Sequence, residues 1–111
     1  MKPERHDRLI LTIKRLAAEF LERPKTATGT PAPLITVSNV DLSGNAQRAT
    51  IYLTVFPDES EALGLRLAEA ARGPLRAELQ TRLSLKRAPY LEVAIDEREK
   101  KRRSKNDAPA R

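Results

Sequence analysis

Two segments of alternating apolar and polar residues, joined by a short turn, restrict the fold of this chain more than any other feature. The first, Leu34 to Asp41, is rich in β-branched residues, and the second, Arg48 to Phe56, alternates cleanly. The connection between them, Leu42 to Ala46, contains a Gly-Asn pair suited to positive φ. The pattern predicts a β-hairpin whose apolar face, Ala49, Ile51, Leu53 and Val55 on the second strand, must be covered by another element.

Helical periodicity precedes the hairpin. Residues Pro3 to Arg23 place apolar side chains at helical spacing, and Pro24 ends the pattern. A Pro- and Gly-rich loop over residues 24–33 then leads into the first strand. We therefore predict a first helix whose inward stripe consists of Leu9, Ile13, Leu16 and Phe20.

A second helical pattern follows the hairpin, from Asp58 to about Leu83. Asp58 and Glu61 have the spacing of a capping box, which predicts the start of the helix. Gly73 and Pro74 interrupt the pattern, because proline lacks an amide donor and clashes with the preceding turn. The segment is either one kinked helix or two helices joined at residues 71–74. Its predicted inward residues are Leu63, Leu67, Ala70 and Ala71 before the break and Leu75, Leu79 and Leu83 after it.

Tyr90 to Ile95 is predicted to form a third strand, and the apolar pattern ends at Asp96. Residues 96–111 carry 7 basic and 4 acidic side chains, so this segment has a net charge of +3, half of the +6 of the whole chain. Because this segment has no apolar residue to bury before residue 108, we expect a basic tail at 98–111 that is disordered, or only transiently helical when free, with a single folded domain at 1–97.

Composition excludes several kinds of chemistry. The 111 residues include no cysteine and one histidine, His6, so no disulfide, thiolate zinc site or cysteine nucleophile exists. No P-loop, dinucleotide fingerprint or Ser-His-acid arrangement is visible. No apolar stretch is long enough for a membrane span or a signal peptide. We therefore expect a cytoplasmic protein that is not an enzyme, holds no metal or cofactor, and does not bind membranes. The positive charge favours an anionic partner such as nucleic acid.

Three stretches resemble the bacterial ribosome-binding factor A family. Residues 35–55 are similar to the family's hairpin, with its Ser-x-Asp turn and Ala-x-Val-x-Val-like second strand. Residues 71–73, Ala-Arg-Gly, match the Ala-x-Gly kink that the family carries in place of the Gly-x-x-Gly loop of KH domains. Residues 75–96 are similar to its closing helix, Pro-x-Leu segment and terminal acid. The chain departs from the family pattern at Asn45, Pro74 and Val93.

The resemblance implies an α+β fold: a single type II KH-like domain of order α-β-β-α(kinked)-β, with a three-stranded sheet and helices on one face. It also implies a monomeric, non-catalytic assembly factor that binds the immature small (30S) ribosomal subunit. Such factors assist late folding and 5′-end processing of 16S rRNA, often with a GTPase helping their release. Two alternatives stay open: an adaptor that binds protein through its sheet edge, and a nonspecific nucleic-acid binder that uses charge alone.

Basic residues near the interrupted helix, on the first helix and in the tail are the candidates for RNA contact. A break after Gly73 would leave amides free to meet a phosphate, beside arginines four residues apart. Ordinary solvated helix surfaces and a tail that aids solubility remain the alternative interpretations. The candidate RNA-binding residues are Arg72, Gly73, Arg76, Arg82, Lys86, Arg87, Arg5, Arg8, Lys100, Lys101, Arg102 and Arg103.

Overall fold

A three-stranded mixed sheet covered by two long helices forms the protein. The computed structural model describes residues 3–22, 33–83 and 87–106. Its elements are α1 (Pro3–Leu21), β1 (Leu34–Leu42), β2 (Arg48–Phe56), a 3₁₀ turn (Asp58–Ser60), α2 (Glu61–Leu83), β3 (Tyr90–Ile95) and α3 (Glu97–Asn106). The predicted α+β architecture is confirmed, and so are the hairpin and the third strand.

β2 is the central strand of the sheet, antiparallel to β1 and parallel to β3. The register between β1 and β2 shifts between Val37 and Asn39, which marks a β-bulge. A bulge adds one residue to a strand, so Ser38 and Asn39 both lie on the face opposite the core. We call that side, which α1 and α2 leave uncovered, the open face.

The core lies between the sheet and the two long helices. α1 contributes side chains at helical spacing, and all four of the predicted apolar positions on β2 are buried. Phe20, predicted as a core residue, is half-buried and packs at the edge of the core. The core residues from α1 and β2 are Leu9, Ile13, Leu16, Ala17, Leu21, Ala49, Ile51, Leu53 and Val55.

α2 continues without a break through Gly73 and Pro74, which excludes the arrangement of two joined helices. Its start also differs from the prediction: Pro57 holds the cap position of the 3₁₀ turn, without a side-chain cap hydrogen bond, and Asp58 lies inside the turn. The predicted capping box is therefore wrong, since α2 begins only at Glu61.

The buried face of α2 differs from the predicted one in its first half. Leu63 and Leu67 are each 43% exposed, whereas Gly64 and Ala68 are buried together with Leu75 and Leu79. In a continuous helix each residue turns by about 100°, so Leu63 lies about 120° around the helix from Leu75, while Gly64 lies within about 20° of it. Gly64 therefore faces the sheet, and a Cβ added there would lie 2.7 Å from a Cγ of Val55.

The hairpin turn uses a different residue for its positive φ than the sequence suggested. Ala46, with φ of 58°, adopts the left-handed conformation rather than the Gly-Asn pair. Ser43 organises the turn, since its hydroxyl oxygen accepts hydrogen bonds from the amides of Gln47 and Arg48 at 3.2 and 3.1 Å. Side-chain bonding to nearby backbone amides is a usual role of serine in turns.

Residues Glu97–Asn106 form α3, where the sequence predicted a disordered tail from residue 98. Asp96 explains the difference, because its Oδ1 accepts the Glu99 amide proton at 3.0 Å as an N-cap. Its Oδ2 accepts the hydroxyl proton of Ser38, which ties the start of α3 to the bulge of β1. Lys100, one turn later, forms a 2.9 Å ion pair with Glu61 of α2. The predicted tail is thus corrected to a capped helix; residues 107–111 lie outside the described residues.

Replacing Asp96 by alanine should fray α3, with a loss of about 1 kcal/mol expected for an N-cap. The pKa of Asp96 is lowered from its ordinary value of 3.8, mainly by the Ser38 hydroxyl and also by backbone amides such as that of Glu99. A lowered folded-state pKa means that this stabilisation is present above pH 3.8 and is lost as the pH falls through the folded-state value. Amide hydrogen exchange across residues 99–102 measures both effects.

A matched control for Asp96→Ala is Glu97→Ala, which removes an exposed carboxylate beside the cap. It should change exchange in α3 little, because Glu97 is inside the first turn and does not cap it. Equal exchange rates in the Asp96→Ala variant and the wild type would show that the cap does not hold the helix.

Candidate nucleic-acid interface

Arg76 and Arg72, the two arginines on either side of Gly73 and Pro74 in α2, are half-buried and bonded to the chain itself. Arg76 donates from Nε to the carbonyl oxygen of Pro89 and from Nη2 to that of Ala88, both at 3.1 Å. Arg72 donates to the carbonyl oxygens of Glu69 and Leu91, both at 3.4 Å. These guanidinium groups join α2 to the start of β3, so their first role is structural.

Gly73 and Pro74 are exposed in the interior of α2, between the two arginines. Because the helix does not end there, no second helix N-terminus exists, and the proposed set of free amides is not formed. A Cβ added at Gly73 would meet no atom within 4 Å. Packing within the protein therefore does not require a glycine at this position.

Three other predicted residues form ion pairs. Arg82 lies 3.0 Å from Glu78, one turn earlier in α2, an i,i+4 ion pair. Lys100 pairs with Glu61, and its pKa is raised, mainly by that hydrogen bond. Arg102 pairs with Glu99 at 3.1 Å. These partners reduce the charge that Arg82, Lys100 and Arg102 present to a ligand.

The remaining candidate RNA-binding residues are either exposed or lie outside the described residues. Arg5, Arg8, Arg87 and Lys101 are exposed and form no salt bridge with another described residue. Lys86 and the side chain of Arg103 lie outside the described residues. The exposed members are therefore the ones whose charge is available to an anionic partner.

The list of candidates omitted Arg15, which belongs with Arg5 and Arg8. All three are exposed, and at about 100° per residue they lie within about 80° of one another and about 80° to 160° around α1 from the buried Ile13. The row from Arg5 to Arg15 is about 15 Å long. Plotting the basic residues of α1 on a helical wheel would have found it from the sequence. We call Arg5, Arg8 and Arg15 the α1 basic row.

The described residues contain no candidate metal site and no candidate membrane-spanning helix. They contain no group of three or more His, Asp or Glu side chains that could hold a metal ion. His6 Nε2 lies 2.9 Å from the carbonyl oxygen of Ser43, so the histidine contacts the hairpin turn. No helix in these ranges is long and apolar enough to cross a membrane.

The mixed sheet, with α1 and α2 on one face and a proline inside α2, is a KH-like α+β fold. The family model of ribosome-binding factor A matches residues 5–107. The chain belongs to this family.

Similar proteins agree with that assignment. A ribosome-binding factor A from Prochlorococcus marinus (strain NATL1A) is 33% identical over 96 residues, covering 83% of this chain and 76% of that protein. The crystal structure of ribosome-binding factor A from Thermus thermophilus superposes with a TM-score of 0.63 at 28% identity, covering 80% of this chain and 92% of that one.

A Thermus thermophilus ribosome-binding factor A homology model, fitted into the cryo-EM map of a 30S complex, is also similar. Its TM-score is 0.62 at 27% identity, and it covers 92% of this chain and 97% of that one. Some curated relatives are longer: the chain spans 55% and 61% of two of them.

Proposed function

We propose that this protein is a ribosome assembly factor that binds the immature 30S subunit and assists late maturation and 5′-end processing of 16S rRNA, without catalysing a reaction. The observation that carries the proposal is the match to ribosome-binding factor A over residues 5–107. The similarity of the fold to a Thermus protein fitted into a 30S complex supports the choice of subunit. Action as a monomer and release by a GTPase are part of the same proposal.

The α1 basic row is the surface that we propose for the first contact with rRNA. Its three guanidinium groups are exposed and form no salt bridge with another described residue, so their charge is available to phosphates. Contacts of this kind position a protein on RNA but do not read its sequence. Arg87 and Lys101 extend the same kind of contact to other parts of the surface.

The exposed backbone at Gly73 is the second proposed contact. A helix-interior glycine lowers stability by about 0.5–1 kcal/mol relative to alanine, and nothing inside this protein requires it. Close approach of a ligand to the backbone is one reason for a glycine to be retained at such a site. The half-buried Arg72 and Arg76 on either side keep further N–H donors beyond those bonded to β3, since a guanidinium has five.

The alternative of an adaptor that binds protein by adding a strand is less favoured at the β1 edge. The amide of Val37 donates to the Glu22 carboxylate at 2.9 Å, and the amide of Val40 donates to the Asn39 side chain at 2.9 Å. An incoming strand would need those edge groups for its own hydrogen bonds. Side chains of this chain already bind them, so the β1 edge is protected against pairing at these two positions.

Cosedimentation with free 30S subunits from a strain that lacks the gene is the direct test of the function. We expect the protein with immature 30S particles and not with intact 70S ribosomes, and we expect 16S precursor with unprocessed 5′ ends in the deletion strain. Normal 16S ends in that strain would contradict the proposal. Binding that is lost equally for 30S particles and bulk RNA as salt rises would favour the charge-only alternative.

Replacing Arg5 and Arg8 together by glutamine should weaken RNA binding and reduce its salt dependence. Each lost phosphate contact lowers the slope of log affinity against log salt by about 0.7, so the double variant should lose about 1.4. Fluorescence anisotropy with a 16S fragment at about 50 to 200 mM salt gives both slopes. Arg66→Gln is the control, because Arg66 is exposed on α2, away from the row. An unchanged slope in the double variant would remove the α1 basic row from the interface.

A further inference from the structure

A cleft of about 590 Å³ lies between the open face of the sheet and α3. Its sheet side comes from the β1 bulge and the middle of β2, and its other wall from the first turns of α3. Tyr52, half-buried at the centre of the sheet, is the aromatic residue among its lining side chains. Its lining includes Ser38, Asn39, Asp41, Tyr52, Asp96 and Arg98.

The charge in this cleft is opposite in sign to that of the whole chain. Four carboxylates line it, from Asp41, Asp96, Glu97 and Glu99, against the two guanidinium groups of Arg98 and Arg102. The chain as a whole carries +6. An RNA phosphate would be repelled here, while a positively charged group would be attracted.

The pKa of Tyr52 responds to the same charged groups. Burial raises the pKa of the Tyr52 hydroxyl, and the carboxylates of Asp41 and Asp96 raise it further, whereas Arg98 lowers it. Burial is the largest cause of the raised pKa, and each of the two carboxylates contributes more to it than Arg98 removes. A negative field beside an aromatic ring is what a cationic ligand requires.

On the open face, the guanidinium group of Arg48 already lies beside an aromatic ring and a carboxylate of this protein. The Cζ of Arg48 lies 5.9 Å from the centre of the Tyr90 ring, and its Nη1 lies 3.7 Å from the Glu92 carboxylate. Arg48 and Tyr90 face each other across β2 and β3. This sheet surface therefore accommodates an arginine between an aromatic ring and an acid.

We propose that the cleft is a docking site for a lysine- or arginine-rich segment of a partner protein, with one cationic side chain seated between the Tyr52 ring and the Asp41 carboxylate. Asp41 is exposed, and its carboxylate oxygens have lone pairs that can accept hydrogen bonds from a cationic group. Asp96 is engaged with Ser38 and the Glu99 amide, so it contributes charge rather than direct contact. Asn39 adds an amide beside the site that can bond the backbone of the bound segment.

This site is separate from the α1 basic row, which is the surface proposed for the first contact with RNA. The α1 basic row lies on the outer side of α1, which packs against the other face of the sheet. A protein with both surfaces can hold rRNA on one side and a basic protein segment on the other. The proposal does not depend on which RNA is bound.

Fluorescence anisotropy with a labelled nine-residue peptide of alternating glycine and arginine tests the site. Wild-type protein should bind it, and Asp41→Asn should weaken binding about tenfold, since the variant removes one charge but keeps the shape of the side chain. Asp7→Asn is the matched control: it removes the charge of an exposed aspartate on α1 and should leave peptide affinity unchanged. Equal affinity of wild type and Asp41→Asn would overturn the proposal.

Further measurements distinguish the possible occupants. Addition of the peptide to isotopically labelled wild-type protein should shift the NMR signals of residues 38–41 and 52; shifts confined to other residues would refute the site. If Asp41→Asn instead strengthens or weakens binding of an oligouridylate severalfold and leaves the peptide unaffected, the cleft serves RNA and the proposal is wrong. It is equally wrong if removal of residues 107–111 raises peptide affinity several-fold, because the chain's own end would then be the occupant.

Discussion

We expect Arg76→Met to lower the free energy of unfolding by about 2–3 kcal/mol, the largest of the stability losses expected for this protein. Hydrogen bonds from a charged group contribute about 1.5–3 kcal/mol, and a buried carbonyl left without a donor costs about 1–3 kcal/mol. Both carbonyl partners of Arg76 belong to buried residues, Ala88 and Pro89. Methionine preserves much of the side-chain length, so the loss reports the hydrogen bonds rather than a cavity.

Arg76 is a better target than Arg72 because its contacts are shorter. The two donor–acceptor distances are 3.1 Å for Arg76 and 3.4 Å for Arg72, and hydrogen bonds weaken as they lengthen. Arg72→Met should therefore cost less than Arg76→Met. Urea unfolding followed by circular dichroism should show the Arg76 variant unfolding at a midpoint lower by roughly 1–2 M.

The control is Arg66→Met, an exposed arginine in the same helix, which should stay within about 0.5 kcal/mol of the wild type. A stability equal to wild type in Arg76→Met would show that the hydrogen bonds from Arg76 to Ala88 and Pro89 contribute nothing. The same hydrogen bonds limit what a binding experiment can show. Reversing the charge of Arg72 and Arg76 together should disrupt the fold, so weaker RNA binding by that variant would not locate an RNA site. Variants in the α1 basic row avoid this difficulty.

The sequence predicted the sheet well because its signal is local. Alternation over residues 48–56 and 90–95 fixes which side chains face the core, and both strands have the predicted bounds. The bulge at Ser38 was not predicted, since one extra residue leaves the surrounding pattern nearly unchanged. That bulge brings Ser38 to Asp96 and forms one side of the acidic cleft.

The second helix was harder to predict because its phase depends on whether Pro74 breaks it. Apolar residues spaced by four drift by about 40° per step, so one straight helix cannot bury Leu63, Leu67, Leu75 and Leu79 together. In the structure Leu75 and Leu79 are buried, whereas Leu63 and Leu67 point away from the core and are exposed. A glycine at position 64, in phase with Leu75, was the sequence signal for this face.

The sequence identified the basic residues of the candidate site, but not which of them are already bonded within the protein. Counting charges finds Arg72 and Arg76, yet nothing local shows that they bond carbonyls 12 to 19 residues away in sequence. α3 was missed although Asp96 and Glu99 have capping-box spacing, because the following residues offer no apolar face. Long-range partners such as Glu61 for Lys100 become visible only when the fold is known.

Gly64→Ala should destabilise the protein by about 1–2 kcal/mol, even though alanine favours helices by about 1 kcal/mol over glycine. The new Cβ would lie 2.7 and 2.9 Å from the two Cγ atoms of Val55, and overpacking of this kind costs about 1–3 kcal/mol. Val55 is 1% exposed in the central strand, so it cannot move into solvent to relieve the contact. Thermal and urea unfolding measure the change.

Gly73→Ala is the matched control, with the same substitution in the same helix. A Cβ at Gly73 meets no atom, so the variant should be more stable than wild type by about 0.5–1 kcal/mol. Val55→Ala provides the second comparison, because removing the two γ-methyl groups leaves room for the new Cβ. Val55→Ala combined with Gly64→Ala should therefore be more stable than the sum of the single losses predicts, by about 1 kcal/mol or more. Additive losses, or equal gains in stability at positions 64 and 73, would show that α2 does not approach β2 as closely as this packing requires.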